Sequence, residues 1–445
     1  MKIQEVSLSD YGKASSVPSA VNRMMTDFAV GFRDGYDINL GVGYVNETTI
    51  PRQQIQTACE AVLANPEKYR ASLNYGGAQG SPNLIESIKR YHIDNRIGGI
   101  NRDIFNDNDI VIGANGATSL LDSITHLLPS GIVFTADPMY YIYCNDLDRK
   151  GFKIIAIPED SEGIQTDLLR NKLKGLGRAK EEIRFFYVVT VNNPSCTILS
   201  NNRKRELVEI ATELSCELNR KIPIFFDNAY RDLIHDSSVE PMESALCYDD
   251  LGIVYEIGTM SKILAPGLRI GYMIGPKGDF INSIIQRTSD IGFSAPLINQ
   301  EIASYLLDNG IERQIEYVNS GYQRKAKQVK TWIEELLGEY VQTCSGGSAG
   351  FYYYLTLLNI TTDSTSDFFR LLTRTTGSEE IDGPKQNPHP KVIYIPGQHC
   401  VHPSGDMVEI GKHQFRISYG FEELPQIHAA LKYMASAIVY SQRRL

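Results

Sequence analysis

No stretch of this chain approaches the ~20 consecutive apolar residues that a membrane-spanning helix needs. The start at Met1 has neither the charged region nor the apolar region of a secretory leader. Positive charge is also in short supply, with 44 Lys and Arg against 53 Asp and Glu for a net of −9 at pH 7. That balance argues against a general partner in nucleic acid or acidic membrane, while leaving room for a local cationic pocket. The seven cysteines are an odd number and form no Cys-x-x-Cys pair. Reduced thiols in a cytoplasmic protein are therefore expected. Repeats and low-complexity segments are absent as well. What is present is ordinary globular material, 42% hydrophobic and 22% charged, which excludes a disordered or fibrous chain. A length of 445 residues exceeds the ~100–200 of one compact unit, so two or three domains are expected.

Short β-branched runs alternate with longer amphipathic stretches through the middle of the chain, the pattern of βαβ units. Strands are expected at Asp109–Ala114, Gly131–Ala136, Phe152–Pro158, Ile183–Val191, Ile222–Asp227, Ile253–Gly258 and Arg269–Gly275. Several are apolar without alternation, as strands buried on both faces are. Helices are expected at Thr118–Leu128, Lys204–Leu218, Ile298–Asn309 and Ile311–Leu337, with a last one after Phe421. Gly377–Pro390 reads as a polar surface loop. The expected fold is α/β, with a mostly parallel central sheet and flanking helices in a large domain over 50–309. A smaller α+β domain is expected from residues 1–49 together with 310–445.

Two constellations could carry chemistry. Gly113-Ala-Asn-Gly116-Ala117-Thr118-Ser119 lies where a strand gives way to a helix. Small residues there let backbone amides approach an anion, and the helix N-terminus adds partial positive charge. The same stretch is compatible with a plain capped turn. It also allows a nucleotide site, with Asp137 at the end of the next strand as a ribose-binding acid. The full G-x-G-x-x-G pattern is missing. The second constellation is Gly258-Thr259-Met-Ser261-Lys262-Ile-Leu-Ala-Pro-Gly267-Leu-Arg269. A lysine made less basic by burial and by nearby cations can form a Schiff base. The arginine seven positions on offers a fork suited to phosphate.

The second stretch resembles the cofactor-lysine signature of the fold-type I, pyridoxal-phosphate-dependent aminotransferases of class I/II. Six further elements of that pattern occur in order. Asn74-Tyr75 followed by Gly80 and Leu84 is similar to N-Y-x-x-x-x-G-x-x-x-L, Gly116-Ala117-Thr118 to the phosphate turn, and Asp137-Pro138-Met139-Tyr140 to D-P-x-Y. Asn192-Asn193-Pro194-Ser195 resembles N-N-P-T, Asp227-Asn228-Ala229-Tyr230 resembles D-x-A-Y, and Phe415-Arg416-Ile417-Ser418 resembles F-R-[LI]-S. The chain departs from the pattern at Thr259, where Ser or Gly is usual, and at Ser195-Cys196, where Thr-Gly is usual. The loop Ile395-Pro396-Gly397-Gln398-His399, followed by Gly405 and Arg416, is similar to that of valine–pyruvate aminotransferases.

The resemblance implies pyridoxal 5'-phosphate as cofactor and a role for each matched residue. Lys262 would carry the cofactor as a Schiff base and then move the substrate proton as a base. Asp227 would pair with the pyridine nitrogen and make the ring a better electron sink. Asn193 and Tyr230 would hydrogen-bond the ring hydroxyl oxygen, and Tyr140 would stack on the ring, with Tyr141 and Tyr143 as alternatives. Gly116, Ala117, Thr118, Thr259, Ser261 and Arg269 would surround the phosphate, joined by Tyr75 from a neighbouring subunit of a homodimer. Arg416 would clamp the substrate carboxylate, with Asn193 and the backbone near Gly43 beside it. The implied activity moves an amino group between an amino acid and a 2-oxo acid by a ping-pong course. A lyase or cyclising synthase on the same cofactor is the alternative, and a nicotinamide oxidoreductase a more distant one that leaves Lys262 without a task. A regulator of the same fold would carry a fused DNA-binding segment, and the residues before Ile38 are expected to be too short for one. His399-Cys400-Val401-His402 has a spacing that suggests a metal, but no carboxylate or second cysteine pair completes it, so no metal is expected.

Overall fold

A computed structural model describes residues 6–443. All seven expected strands form, within two residues of their expected starts, and an eighth short one joins them. In chain order they are β1 (Asn108–Ile112), β2 (Ile132–Asp137), β3 (Lys153–Asp160), β4 (Gly163–Ile164), β5 (Ile183–Val189), β6 (Ile224–Asp227), β7 (Val254–Thr259) and β8 (Gly271–Pro276). Their order across the sheet is β1-β8-β7-β6-β5-β2-β3-β4. The central pairs from β7 to β3 are parallel, and only β8 and the short edge strand β4 run against their neighbours. Every residue of β2, β6 and β7 is buried, which is why these strands are mostly apolar on both faces, the buried Glu256 of β7 being held by Ser244 and the Ala245 amide.

The sheet's register sets up the site. Val189 pairs with Asp227, and Asp227 with Ile257, two residues before the end of β7. The carboxyl ends of β5, β6 and β7 therefore open along one edge, where ligands of open α/β sheets bind. The helix Gly116–Leu127 follows β1 and begins at the same edge, two residues earlier than its apolar periodicity suggests.

A second sheet of four strands has β9 (Val341–Gly346), β10 (Tyr352–Leu357), β11 (Ile395–Pro396) and β12 (Gln414–Ser418), in the order β9-β10-β12-β11 and antiparallel throughout. The helices Ile311–Leu337 and Leu424–Gln442 pack on one another beside it. The N-terminal Ile38–Asn39 pairs in parallel with Val392–Ile393. Helices at Asp10–Ser15 and Ala20–Ala29, each capped by a serine that accepts from a first-turn amide, were not anticipated, and neither was the single helical turn Glu379–Asp382 within the expected loop. Among the described residues, no helix is long and apolar enough to cross a membrane.

Candidate active site

At the carboxyl edge of the large sheet lies a cavity of about 260 Å³. Its walls include Gly43, Ala117, Thr118, Tyr140, Asn193, Asp227, Tyr230, Thr259, Ser261, Lys262 and Arg269. Most residues singled out from the sequence thus meet in one place, although they span more than two hundred positions of the chain.

Lys262 follows β7, and its Nζ donates to the Gly43 carbonyl at 3.0 Å. The same nitrogen lies 5.4 Å from the Tyr230 ring centre and 5.6 Å from that of Phe351. Burial, with Arg416 and Arg269 adding repulsion and Asp227 opposing it, brings the amine down from the ordinary lysine range to about 8. The neutral, nucleophilic form is then far more abundant near neutral pH than for an ordinary lysine, though still the minority.

Asp227 ends β6 with its carboxylate buried. Its Oδ2 accepts from the Tyr187 hydroxyl at 2.8 Å and its Oδ1 from the Ala229 amide at 3.0 Å. Burial raises its pKa despite both bonds and the nearby Lys262, so a cationic partner brought into the cavity would relieve a standing penalty. Tyr187 was not found from the sequence, because its place in an apolar strand run marks it only as core.

The helix Gly116–Leu127 opens without a capping side chain, leaving first-turn amides free for an anion. Gly116 has φ +68°, and a Cβ there would sit 2.8 Å from Arg269 Nη2. Glycine therefore serves both the left-handed backbone and the close approach of the guanidinium. Arg269 is itself left-handed at φ +54°, which is why β8 starts at Gly271 and not at Arg269. Its Nε and Nη2 donate to the side chain and backbone carbonyls of Asn115 at 2.9 and 3.1 Å. Thr259 Oγ1 donates to the Ile270 carbonyl at 2.9 Å, lies 3.0 Å from Ser261 Oγ and accepts from the Ser261 amide. Hydroxyls, free amides and a guanidinium together make a cradle for a phosphate.

Arg416 stands one layer behind the cavity wall, 2% exposed. Its Nη1 donates to Asn193 Oδ1 at 2.6 Å and its Nη2 to the Gly41 carbonyl at 2.5 Å, while Nε has no partner. Its guanidinium carbon lies 4.2 Å from the centre of the Tyr352 ring. Of the three adjacent tyrosines, Tyr140 lines the cavity. Tyr141 packs with Val21, Tyr354, Ile395 and Cys400, and Tyr143 packs on Tyr187 at 4.7 Å. Tyr75 does not line the cavity; it is 77% exposed and rests against Phe293.

Asp137 is fully buried, away from the cavity, and accepts from the His402 amide at 3.2 Å. A ribose could not reach it, and the nucleotide reading loses its acid. Cys196 has φ +53°, the conformation that makes glycine usual at that point of the pattern. Its burial pushes the thiol up to about 12, so it is not a ready nucleophile. Among the described residues, no group of three His, Cys, Asp or Glu side chains gathers to hold a metal, and His399 and His402 are not part of one.

A buried lysine of lowered pKa, a buried carboxylate at a strand end and an anion cradle beside them fit pyridoxal 5'-phosphate, and the sheet that carries them has the fold of the fold-type I pyridoxal-phosphate proteins. The chain belongs to the aminotransferase class I and II family, whose pattern matches residues 38–376. It is 26% identical over 313 residues to aromatic-amino-acid aminotransferase 1 of Thermococcus litoralis, covering 68% of this chain and 70% of that protein. It is 25% identical over 324 residues to YisV, an uncharacterized HTH-type transcriptional regulator of Bacillus subtilis, covering 72% of this chain but only 61% of the regulator's length. Its fold is that of the multiple substrate aminotransferase from Thermococcus profundus, with a TM-score of 0.83 and 22% identity over 98% of both chains.

Proposed function

We propose that this chain is a pyridoxal-phosphate-dependent aminotransferase that passes an amino group from an amino acid to a 2-oxo acid in a ping-pong course. The observation carrying this reading is the convergence of Lys262, Asp227, Asn193, Tyr230 and, from the turn that starts at Gly116, Ala117 and Thr118 on one cavity. When bound, the cofactor supplies an electron sink for the carbanion left at the substrate Cα. The protein supplies the rest. Lys262 holds the cofactor and, once freed, accepts and returns the Cα proton at Nζ. Asp227, fixed by Tyr187 and the Ala229 amide, keeps the ring nitrogen protonated. Asn193 and Tyr230 would donate to the ring hydroxyl oxygen, and Tyr140, which lines the cavity, would pack against the ring. Ala117, Thr118, Thr259, Ser261 and Arg269 take the phosphate. A substrate carboxylate replaces the Gly41 carbonyl on Arg416, with Asn193 turned toward one of its oxygens.

The division into a cofactor-binding part over 50–309 and a second part from 1–49 and 310–445 belongs to the same proposal, as does a homodimer in which exposed Tyr75 reaches the neighbouring site. A cytoplasmic setting agrees with seven cysteines that all stand unpaired. A neutral or aromatic donor is favoured, since Tyr44, Tyr140 and Tyr230 wall the cavity and its one lining arginine, Arg269, is at the phosphate end. The likeness to an aromatic-amino-acid aminotransferase supports the same choice. The test is a panel of amino donors offered with pyruvate or 2-oxoglutarate to protein loaded with pyridoxal 5'-phosphate. A new amino acid without ammonia is expected. Ammonia release in its place, or no visible absorbance on loading, overturns the reading.

A further inference from the structure

Tyr352 lies on β10 with its side chain fully buried, and it touches both halves of the proposed chemistry. Its ring is a shelf beneath Arg416, 4.2 Å from centroid to guanidinium carbon. Its hydroxyl lies 2.9 Å from that of Tyr230. A Cβ at Gly43 would come within 2.6 Å of the same hydroxyl, so the Gly43 backbone, whose carbonyl holds Lys262 Nζ, passes directly over it. Arg416 also reaches Asn193. The carboxylate clamp is thereby connected to both side chains proposed to hydrogen-bond the ring hydroxyl oxygen, through Asn193 directly and through Tyr352 to Tyr230.

We propose that Tyr352 is a positioning residue with two separable functions: its ring orients Arg416 for a substrate carboxylate, and its hydroxyl strengthens the hydrogen bond that Tyr230 gives to the cofactor. This rests on the pyridoxal-phosphate reading above. If Tyr230 donates its proton to the ring oxygen, its own oxygen is left to accept, and Tyr352 is the donor in place. A phenol that accepts a hydrogen bond is a stronger donor. Drawing charge from the ring oxygen makes the Lys262-linked nitrogen less basic, so the Tyr352 hydroxyl lowers the pH at which that linkage loses its proton.

The two functions separate by substitution. Tyr352→Phe keeps the shelf and loses the hydroxyl; Tyr352→Leu loses both. Protein loaded with pyridoxal 5'-phosphate is titrated from pH 5 to 10 while its visible absorbance is followed, and KM and kcat are measured for the best amino donor. Tyr352→Phe is expected to raise the midpoint by about half a unit to one unit, the worth of one neutral hydrogen bond, with KM within about twofold of wild type. Tyr352→Leu is expected to show the same midpoint shift and a KM raised about tenfold, the loss of one stacked cation–π contact. Thermal melts and cofactor stoichiometry establish that each variant is folded and loaded. An unchanged midpoint in Tyr352→Phe, or a wild-type band that does not titrate in this range, overturns the hydroxyl's function. An unchanged KM in a loaded Tyr352→Leu overturns the shelf. A wild-type protein with no visible band at all fails the cofactor reading itself, a distinct outcome.

Discussion

The two ends of the cavity are built in different ways. The phosphate end is built mainly from the one stretch 259–270, where Arg269 bonds to Pro266 and Thr259 lies against Ser261 and Ile270, and it has a single long tie, from Arg269 to Asn115, 154 positions back at the start of the Gly116–Leu127 helix. The carboxylate end is assembled from afar. Arg416 is tied to Gly41, 375 positions away, and to Asn193, 223 away, and it lies over Tyr352. One end depends on backbone turns that a few residues specify, and the other on the packing of the four-stranded sheet against the large one. Damage to the first should weaken cofactor binding and spare the substrate's grip; damage to the second should do the reverse.

Lys262 lies between the ends and serves both, so its loss has the largest expected effect. Lys262→Ala should lower transamination about 10⁴-fold, the upper range for a positioned proton-transfer group, and abolish the pH-dependent visible band. Cofactor chemistry surviving at more than about a hundredth of the wild-type rate would mean that another group moves the proton. At the carboxylate end, Arg416→Lys should raise the amino donor's KM about 100-fold. An ammonium cannot make the guanidinium's paired bonds, and two charge-assisted bonds are together worth roughly 3 kcal/mol or more. Cofactor affinity should barely change. If cofactor affinity falls as KM rises, the two ends are not separable as described.

Gly116→Ala examines the other end at smaller cost. The substitution imposes a Cβ on a left-handed backbone and pushes it toward the Arg269 guanidinium, 2.8 Å from Nη2. A strain of about 1–2 kcal/mol weakens the cofactor about tenfold. Equilibrium dialysis against pyridoxal 5'-phosphate reads that loss, and the donor KM measured at saturating cofactor should stay within about twofold. A raised KM with unchanged cofactor affinity would reverse the assignment of the two ends.

The same contrast explains what could be read from the sequence. Strands β2, β5 and β6 declare themselves by the apolar runs IVF, FFYVV and IPIFF, because both their faces are covered. The Gly116 turn and the Lys262 stretch are legible because backbone conformation and anion binding demand particular residue types at fixed spacing. Tyr352 and Tyr187 were hidden. Each sits in a strand of aromatic and β-branched residues, where a tyrosine predicts burial and says nothing of its hydroxyl's partner. Tyr141 and Tyr143 could be set apart from Tyr140 only once the turn after β2 fixed which ring faces the cavity. Asp137 looked like a nucleotide acid by position, and only the loop carrying His402 reveals that it is enclosed. Short-range chemistry is visible in a chain; the partner that tertiary packing brings to a side chain is not.

The smallest expected effect bears on the lysine where the two ends meet. Burial and the charges of Arg416 and Arg269, partly offset by Asp227, hold Lys262 at about 8 in the folded apoprotein, against ~10.4 for a free lysine. Below about pH 8 the amine is charged in both folded and unfolded chains, and the fold bears the full cost of burying it. As pH rises from there toward ~10.4, the folded chain gives up its proton while the unfolded chain keeps it, so stability from this group increases with pH. Lys262→Met removes the titration and keeps most of the apolar stem. The variant apoprotein should therefore melt a few degrees above wild type at neutral pH, and the gap should close through that window. A gap that is constant from neutral to alkaline pH would mean the amine is not charged and confined between the two ends. Adding pyridoxal 5'-phosphate should invert the order at neutral pH, because only wild type gains the covalent link and its linkage stabilisation.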